Sequence, residues 1–456
     1  MDQETIIIVG AGIFGVSTAY HLSQRVSDPS RIILLDRAAR DPPSNTLAAS
    51  ADINKIIRAD YSSPLYMELG FEAIKAWQTL PFLQSQNANA DSGAGVYHQS
   101  GWIAMDEKGS NVTRRIRENF RAGKHDSVIV DMEEDEVRRA WGGVLGRTDY
   151  APFGSYYFNQ SAGWVDAARA LELMLRKALE LGIRYETGEA RHIVFLEGEG
   201  VQGVETEAGR VLQADKVLLA TGPWTSKLMS PLEDALGIDH NDRVENQISA
   251  AGVCVAHLQL SDAEREVYSK LPVLVYGSQG EVIPPTSSGV LKFTSTTSFR
   301  NTVRTTTGHE ISVPIEDQSY APRGLQEDLI AAVRARLPQL LDNDRRPDYY
   351  RLCWDAISAS QHPLITRHPD PRLTSLYFAV GGSFHFYKFL PIIGKYVVNI
   401  MEGVGNGPEK DTAWSWKSVG ETGGGVHESL VPRREFRDFF VANQHSDGDS
   451  YNVTSV

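Results

Sequence analysis

Three glycines spaced Gly10-x-Gly12-x-x-Gly15 follow an isoleucine-rich run, and an aspartate, Asp36, closes the next apolar run. Each glycine of such a turn has its own duty: one permits the tight bend, one lets a pyrophosphate approach the backbone, and one lets helix and strand pack closely. A helix starting there aims its unpaired amides and its dipole at the phosphates. The Asp36 carboxylate is suited to accept hydrogen bonds from a ribose hydroxyl pair, and it disfavours an added 2′-phosphate and so argues against NADP. Spacing alone is weak, and the chain supplies its own decoy in Gly198-Glu-Gly200-Val-Gln-Gly203. No long buried strand precedes the decoy, and VETEAG continues it as strand and turn, so it is predicted to be a hairpin turn. The motif points to a dinucleotide without choosing between FAD and NAD.

The elements that must position the motif can be read around it. Thr5 to Val9 reads as a strand buried on both faces, Val16 to Gln24 has helical spacing, and Ile32 to Leu35 is a second buried strand. Together they make a βαβ unit. DPPSN at 41–45 reads as a loop. Farther on, Ala167 to Leu181 is predicted to be a helix ended by Gly182, Lys216 to Ala220 a buried strand, and Leu325 to Leu337 a helix. Residues 250–300 alternate strand signals with turn residues, which predicts an antiparallel sheet distinct from the first unit. A strand, a glycine pair and an apolar stretch run from Leu376 to Met401. The closing polar segment, NQHSDGDSYNVTSV, is expected to be a disordered tail.

A chain of 456 residues, 41% of them hydrophobic, is too long for one typical core and too apolar for disorder, so two or three compact units are expected. Lysine and arginine number 45 against 58 aspartate and glutamate, a net charge of -13, which argues against a broad nucleic-acid face. The two cysteines, Cys254 and Cys353, have neither metal spacing nor partners enough for a disulfide framework, so no metal is expected and a reducing compartment is. The acidic opening carries only a short apolar run, and the closing TSV does not match the peroxisomal address. No secretory signal or membrane span is therefore expected, and a cytoplasmic location is.

Discrete blocks of the chain, in order from Ile6 to about Gly403, resemble the flavin amine oxidases. That family includes monomeric sarcosine oxidase, pipecolate oxidase, saccharopine oxidase and the fructosyl amino acid oxidases (amadoriases). Besides the glycine motif, the blocks are Asn54-Lys-Ile-Ile-Arg58, Ala214 to Trp224 (ADKVLLATGPW), Gly289-Val-Leu-Lys292, Leu352-Cys-Trp354 and Gly382-Ser-Phe-His-Phe-Tyr-Lys388. The resemblance implies an α/β fold, in which a Rossmann-like FAD-binding domain (1–85, 155–228 and 355–435) interleaves with an antiparallel-sheet substrate domain (86–154 and 229–354). It leaves 436–456 as a disordered tail.

The resemblance also implies FAD as cofactor, met by Gly10, Gly12, Ile13, Phe14, Gly15, Asp36, Arg37, Lys55, Gly222, Trp224, Phe384 and Lys388. By itself, a cysteine between Leu352 and Trp354 reads as a small buried hydrophobe. In the family, the cysteine at this place is bonded through sulfur to the flavin, so Cys353 is expected to tether FAD covalently. Arg58 and Lys388 match the positions that hold a substrate carboxylate, Lys292 the lysine that favours oxygen reduction, and Lys55 a further basic position above the ring. The implied reaction oxidises a secondary amine in amino acid form to an imine, with O2 as acceptor and hydrogen peroxide as product, on a small-molecule substrate by a monomer. Alternatives are a fructosyl amino acid oxidase and an FAD dehydrogenase using an acceptor other than O2.

The chain departs from the family where Phe384 and Phe386 replace glycines, and where Thr296 stands in the place of the fructosyl oxidases' acidic residue. Asp355-Ala-Ile-Ser also departs from the fructosyl type. These departures favour a cyclic or N-alkylated amino acid substrate.

Overall fold

The strand Ile6–Val9 is buried along its whole length because it lies inside a six-stranded sheet with a hydrophobic core on each face. The strand order is Leu364–Arg367, Leu376–Val380, Lys216–Leu219, Ile6–Val9, Ile32–Asp36, Arg184–Thr187, parallel except at the Leu364–Arg367 edge. Ile6 and Ile8 face one core and Ile7 and Val9 the other, as the pleat requires. The computed structural model describes residues 1–40, 47–84, 95–418 and 431–440. The loop expected at 41–45 and the closing segment 443–456 lie outside the described residues.

The predicted helix before Gly182 is Ala167–Glu180, and that before Leu337 is Arg323–Arg336. The decoy glycines lie in an antiparallel hairpin, Ala190–Leu196 against Gly200–Thr206, as predicted. At Gly203, a Cβ would fall 2.0 Å from the Leu212 carbonyl oxygen, so this glycine serves close strand packing.

The second large unit is a nine-stranded sheet. Its path runs Tyr349–Ile357, Ser249–Gln259, Val290–Arg300, Glu281–Ile283, Val273–Tyr276, Trp102–Glu107, Phe153–Asn159, Ile129–Met132. It is antiparallel except for two parallel pairings, Val273–Tyr276 with Trp102–Glu107 and Val290–Arg300 with Arg434–Glu435.

Three segments assigned by sequence to the FAD-binding part belong to this sheet instead. Phe153–Asn159, the end of Tyr349–Ile357 and Arg434–Glu435 all find their backbone partners there. The expected tail also begins too early at 436, since Phe436 and Phe439 sit in a short helical turn and are buried against Phe299. Burial of two aromatic rings outweighs the polar character of the residues around them.

Alternation along this sheet creates the site. Leu291 and Phe293, Leu352 and Trp354, and Cys254 and Ala256 point into the core beneath helix Arg323–Arg336. Lys292 and Thr294, Cys353 and Asp355, and Val253 and Val255 point the other way, into a cavity between the two sheets. The structure thereby separates the two cysteines: Cys254 is core, and Cys353 is cavity wall.

Candidate active site

A single cavity of about 880 Å³ runs from the glycine turn to the inner face of the nine-stranded sheet. At one end, Gly10 has φ +102°, and a Cβ there would lie 2.5 Å from the Ala220 carbonyl oxygen, so only glycine fits. A Cβ on Gly12 would meet only Ser50 Oγ, at 3.5 Å, and one on Gly222 would meet nothing within 4 Å. Backbone is therefore open to a ligand at both positions. Helix Ile13–Ser23 begins here with no side chain capping its first amides. Asp36 is held by two backbone donors, Ala11 N–H at 2.7 Å and Ala38 N–H at 2.8 Å, and it lines the cavity. Beside it, the Arg37 guanidinium stacks 4.1 Å from the centre of the Trp224 ring. A pyrophosphate facing bare backbone, a ribose beside Asp36 and an open stretch leading on to Cys353 together fit an adenine dinucleotide of flavin type.

At the other end, cations from three distant segments converge. Arg58 is buried over the rings of Tyr61 and Trp102, at 4.4 and 4.9 Å, and donates to the Asp60 carbonyl. Lys388 Nζ donates to Tyr61 Oη at 2.8 Å and to the His385 carbonyl. Tyr61 Oη in turn lies 3.1 Å from His385 Nδ1. Burial, with Arg58 adding, holds Lys388 well below the usual lysine range. Asp60, whose carboxylate takes Tyr157 Oη and Asn159 Nδ2 at 2.8 Å each, is pushed up by burial although Arg58 opposes that shift.

Lys292 donates to Asp52 Oδ2 at 2.8 Å and to the Asn54 carbonyl at 2.6 Å. Lys55 reaches the same Asp52 oxygen at 2.8 Å. Burial pushes Lys292 down to about 8, Lys55 adding to the shift and Asp52 opposing it. Lys55 pays a burial penalty too, yet Asp52 outweighs it and holds Lys55 above the usual lysine range. Lys292 is the more deeply buried of the two, so the strain of sharing one carboxylate falls on it.

Of the residues expected at the site, Gly10, Gly12, Ile13, Phe14, Asp36, Arg37, Lys55, Arg58, Gly222, Trp224, Lys292, Cys353, Phe384 and Lys388 all line this cavity. Gly15 does not: its Cβ would fall 1.8 Å from the Gly10 carbonyl oxygen, so its part is to let the helix close onto the turn. Both phenylalanines line the cavity as well. Phe386 is 1% exposed and stacks on Phe14 at 5.7 Å, so its ring is fixed in the cavity wall. Phe384, at φ +63°, stays half-buried at the cavity, its N–H held by Asp355 at 2.8 Å.

A model of the FAD dependent oxidoreductase family matches residues 5–400. The chain belongs to this family. It is similar to L-saccharopine oxidase of Schizosaccharomyces pombe, 27% identical over 436 residues that cover 91% of this chain and 93% of the relative. Monomeric sarcosine oxidase of a Bacillus species is 23% identical, over 86% and 90% of the two chains. Among solved structures, fructosamine oxidase (Amadoriase II) from Aspergillus fumigatus superposes with a TM-score of 0.77 at 25% identity, over 96% and 93% of the two chains.

Several residues of this oxidoreductase site carry no sequence signal of their own. Asp52 is an ordinary acidic residue until folding brings Lys292 to it across 240 positions. Asp60, Tyr61, Tyr157 and Asp355 are likewise defined by their neighbours in space. Among the described residues, no group of three or more His, Cys, Asp or Glu side chains is placed to hold a metal, and no helix is long and apolar enough to cross a membrane.

Proposed function

We propose that the protein is an FAD-dependent oxidase of a secondary amine in amino acid form, N-alkylated or cyclic, which yields an imine and hydrogen peroxide. We propose also that Cys353 carries the cofactor covalently. The observation that carries this reading is the meeting of Arg58 and Lys388 at Tyr61, deep in a cavity continuous with the glycine turn. Two buried cations repel one another, and a carboxylate placed between them relieves that cost. Arg58 brings a planar fork for two parallel hydrogen bonds, and Lys388 a compact point charge.

The same positive field disfavours the ammonium form of the substrate nitrogen, so the neutral amine is the form bound. When bound, the flavin supplies the acceptor for the hydride and afterwards gives the electrons to O2. Lys292 holds a positive charge at the Cys353 end of the cavity, where it favours the negative charge that develops on oxygen. The cavity-facing thiol of Cys353, opposite Val253 in the sheet, supports the tether. The active unit is proposed to be a monomer.

The test is anaerobic mixing of the holoprotein with N-methyl, cyclic and fructosyl amino acids, followed by peroxide measurement in air. Bleaching of the flavin by N-methyl or cyclic amino acids, with peroxide formed in air, is expected. Bleaching by none of these amines overturns the reading, and bleaching by the fructosyl compounds alone replaces it with the fructosyl oxidase.

A further inference from the structure

Glu281 opens the short strand Glu281–Ile283 and lines the cavity, yet neither the cofactor cradle nor the pair of cations for a carboxylate employs it. Its backbone is pinned. The N–H donates to Thr294 Oγ1 at 2.9 Å, and the carbonyl accepts from Thr294 Oγ1 and from buried Arg336. The turn before it is equally fixed, because Gly280 has φ +99° and a Cβ there would lie 2.5 Å from the Thr294 carbonyl oxygen. Val282 pairs with Phe293 and Ile283 with Lys292, so Val282 faces the core. Glu281 therefore faces the cavity beside the row that carries Lys292, Thr294 and Thr296.

Among the described residues, the Glu281 carboxylate makes no hydrogen bond and no ion pair. The groups that feel its charge are Lys388, Tyr61 and Arg336, so it lies near the place assigned to the substrate carboxylate without neutralising it. A half-buried carboxylate left without a donor is tolerable while water reaches it. A substrate that covers it with an apolar group removes that water and returns nothing.

We propose that Glu281 determines specificity by accepting a hydrogen bond from a donor, a hydroxyl or an ammonium, on the substituent carried by the substrate amine. This rests on the secondary-amine reading above. With the carboxylate held by Arg58 and Lys388, the amine follows it and the substituent runs along the wall of Glu281 and Thr296. The preferred substrates are thus amino acids whose N-substituent ends in a donor, not purely alkyl ones.

Three probes of equal length test this on the holoenzyme: N-butylglycine, N-(3-hydroxypropyl)glycine and N-(3-aminopropyl)glycine. A preference of about 10- to 100-fold in kcat/KM for at least one donor-bearing probe over N-butylglycine is expected, the range for a hydrogen bond to a charged group. Glu281→Gln removes the charge and collapses a preference for the ammonium while leaving part of one for the hydroxyl. Glu281→Leu abolishes both. The inference is overturned if N-butylglycine matches the donor-bearing probes in the unaltered enzyme, or if the ratios are the same in the variants. Should N-methyl or cyclic amino acids bleach the flavin while a donor gains nothing, only this inference falls; should no secondary amine do so, the reading beneath it falls as well.

Discussion

One carboxylate, Asp52, faces buried Lys292 and half-buried Lys55 at 2.8 Å each, with Arg351 at 3.8 Å, and it cannot fully compensate all three cations. Lys292, at about 8, is charged below that pH and neutral above it. If its charge assists oxygen, reoxidation of the reduced enzyme slows as pH rises through about 8. Asp52→Asn removes the opposing carboxylate, lowers Lys292 further and moves the decline to lower pH. Lys292→Met should slow reoxidation by about 10²- to 10³-fold, the cost of losing one preorganised donor, and flatten this pH dependence while anaerobic reduction persists. Stopped-flow mixing with oxygen checks all three. For Cys353→Ala, the yellow colour should leave the polypeptide on acid precipitation, whereas in the native protein it stays; colour released from the native protein refutes the tether. Lys292, Arg58 and Lys388 were legible because each sits in a short block with a recognisable neighbourhood. Asp52 and Glu281 were not, since their meaning lies in partners across the fold that no local pattern announces.

Elements are held to the cavity by glycines of different kinds, and substitution separates them. At Gly15 a side chain would overlap the Gly10 carbonyl, and at Gly394 one would lie 2.1 Å from the Ser17 carbonyl oxygen, where helix Ile393–Met401 crosses helix Ile13–Ser23. Gly394→Ala should therefore destabilise the protein by about 1–3 kcal/mol or more, the cost of overpacking, seen as a lower denaturation midpoint. Gly12→Ala is different: its backbone is ordinary and its Cβ has room, so the protein should fold with little change in melting temperature but incorporate far less FAD. The βαβ unit was legible because a buried run, a glycine turn and a helix are consecutive. The helix crossing at Gly394 was not, because it depends on residues on two distant segments.

The described residues form three apolar cores, two flanking the parallel sheet and one beneath the nine-stranded sheet. The last is closed by Phe436 and Phe439, which pack on Phe299, itself edge-on to Trp354 at 5.4 Å. Phe439→Ala should cost about 3–5 kcal/mol, measured by denaturant unfolding, because it opens a cavity behind the strand that bears Cys353. This segment was not legible as core because its charged residues mask the two rings. In the strands that wall the cavity, greasy and polar positions take turns, so one blade presents a sealed side and a working side. Point changes at positions 281, 283 or 296 can redraw the range of accepted amines without touching the sealed side. Inserting or deleting one residue would swap the sides, driving the Lys292 ammonium into oil and Phe293 into water. Diversification of this pocket is thus open to exchange of side chains and closed to changes in strand length.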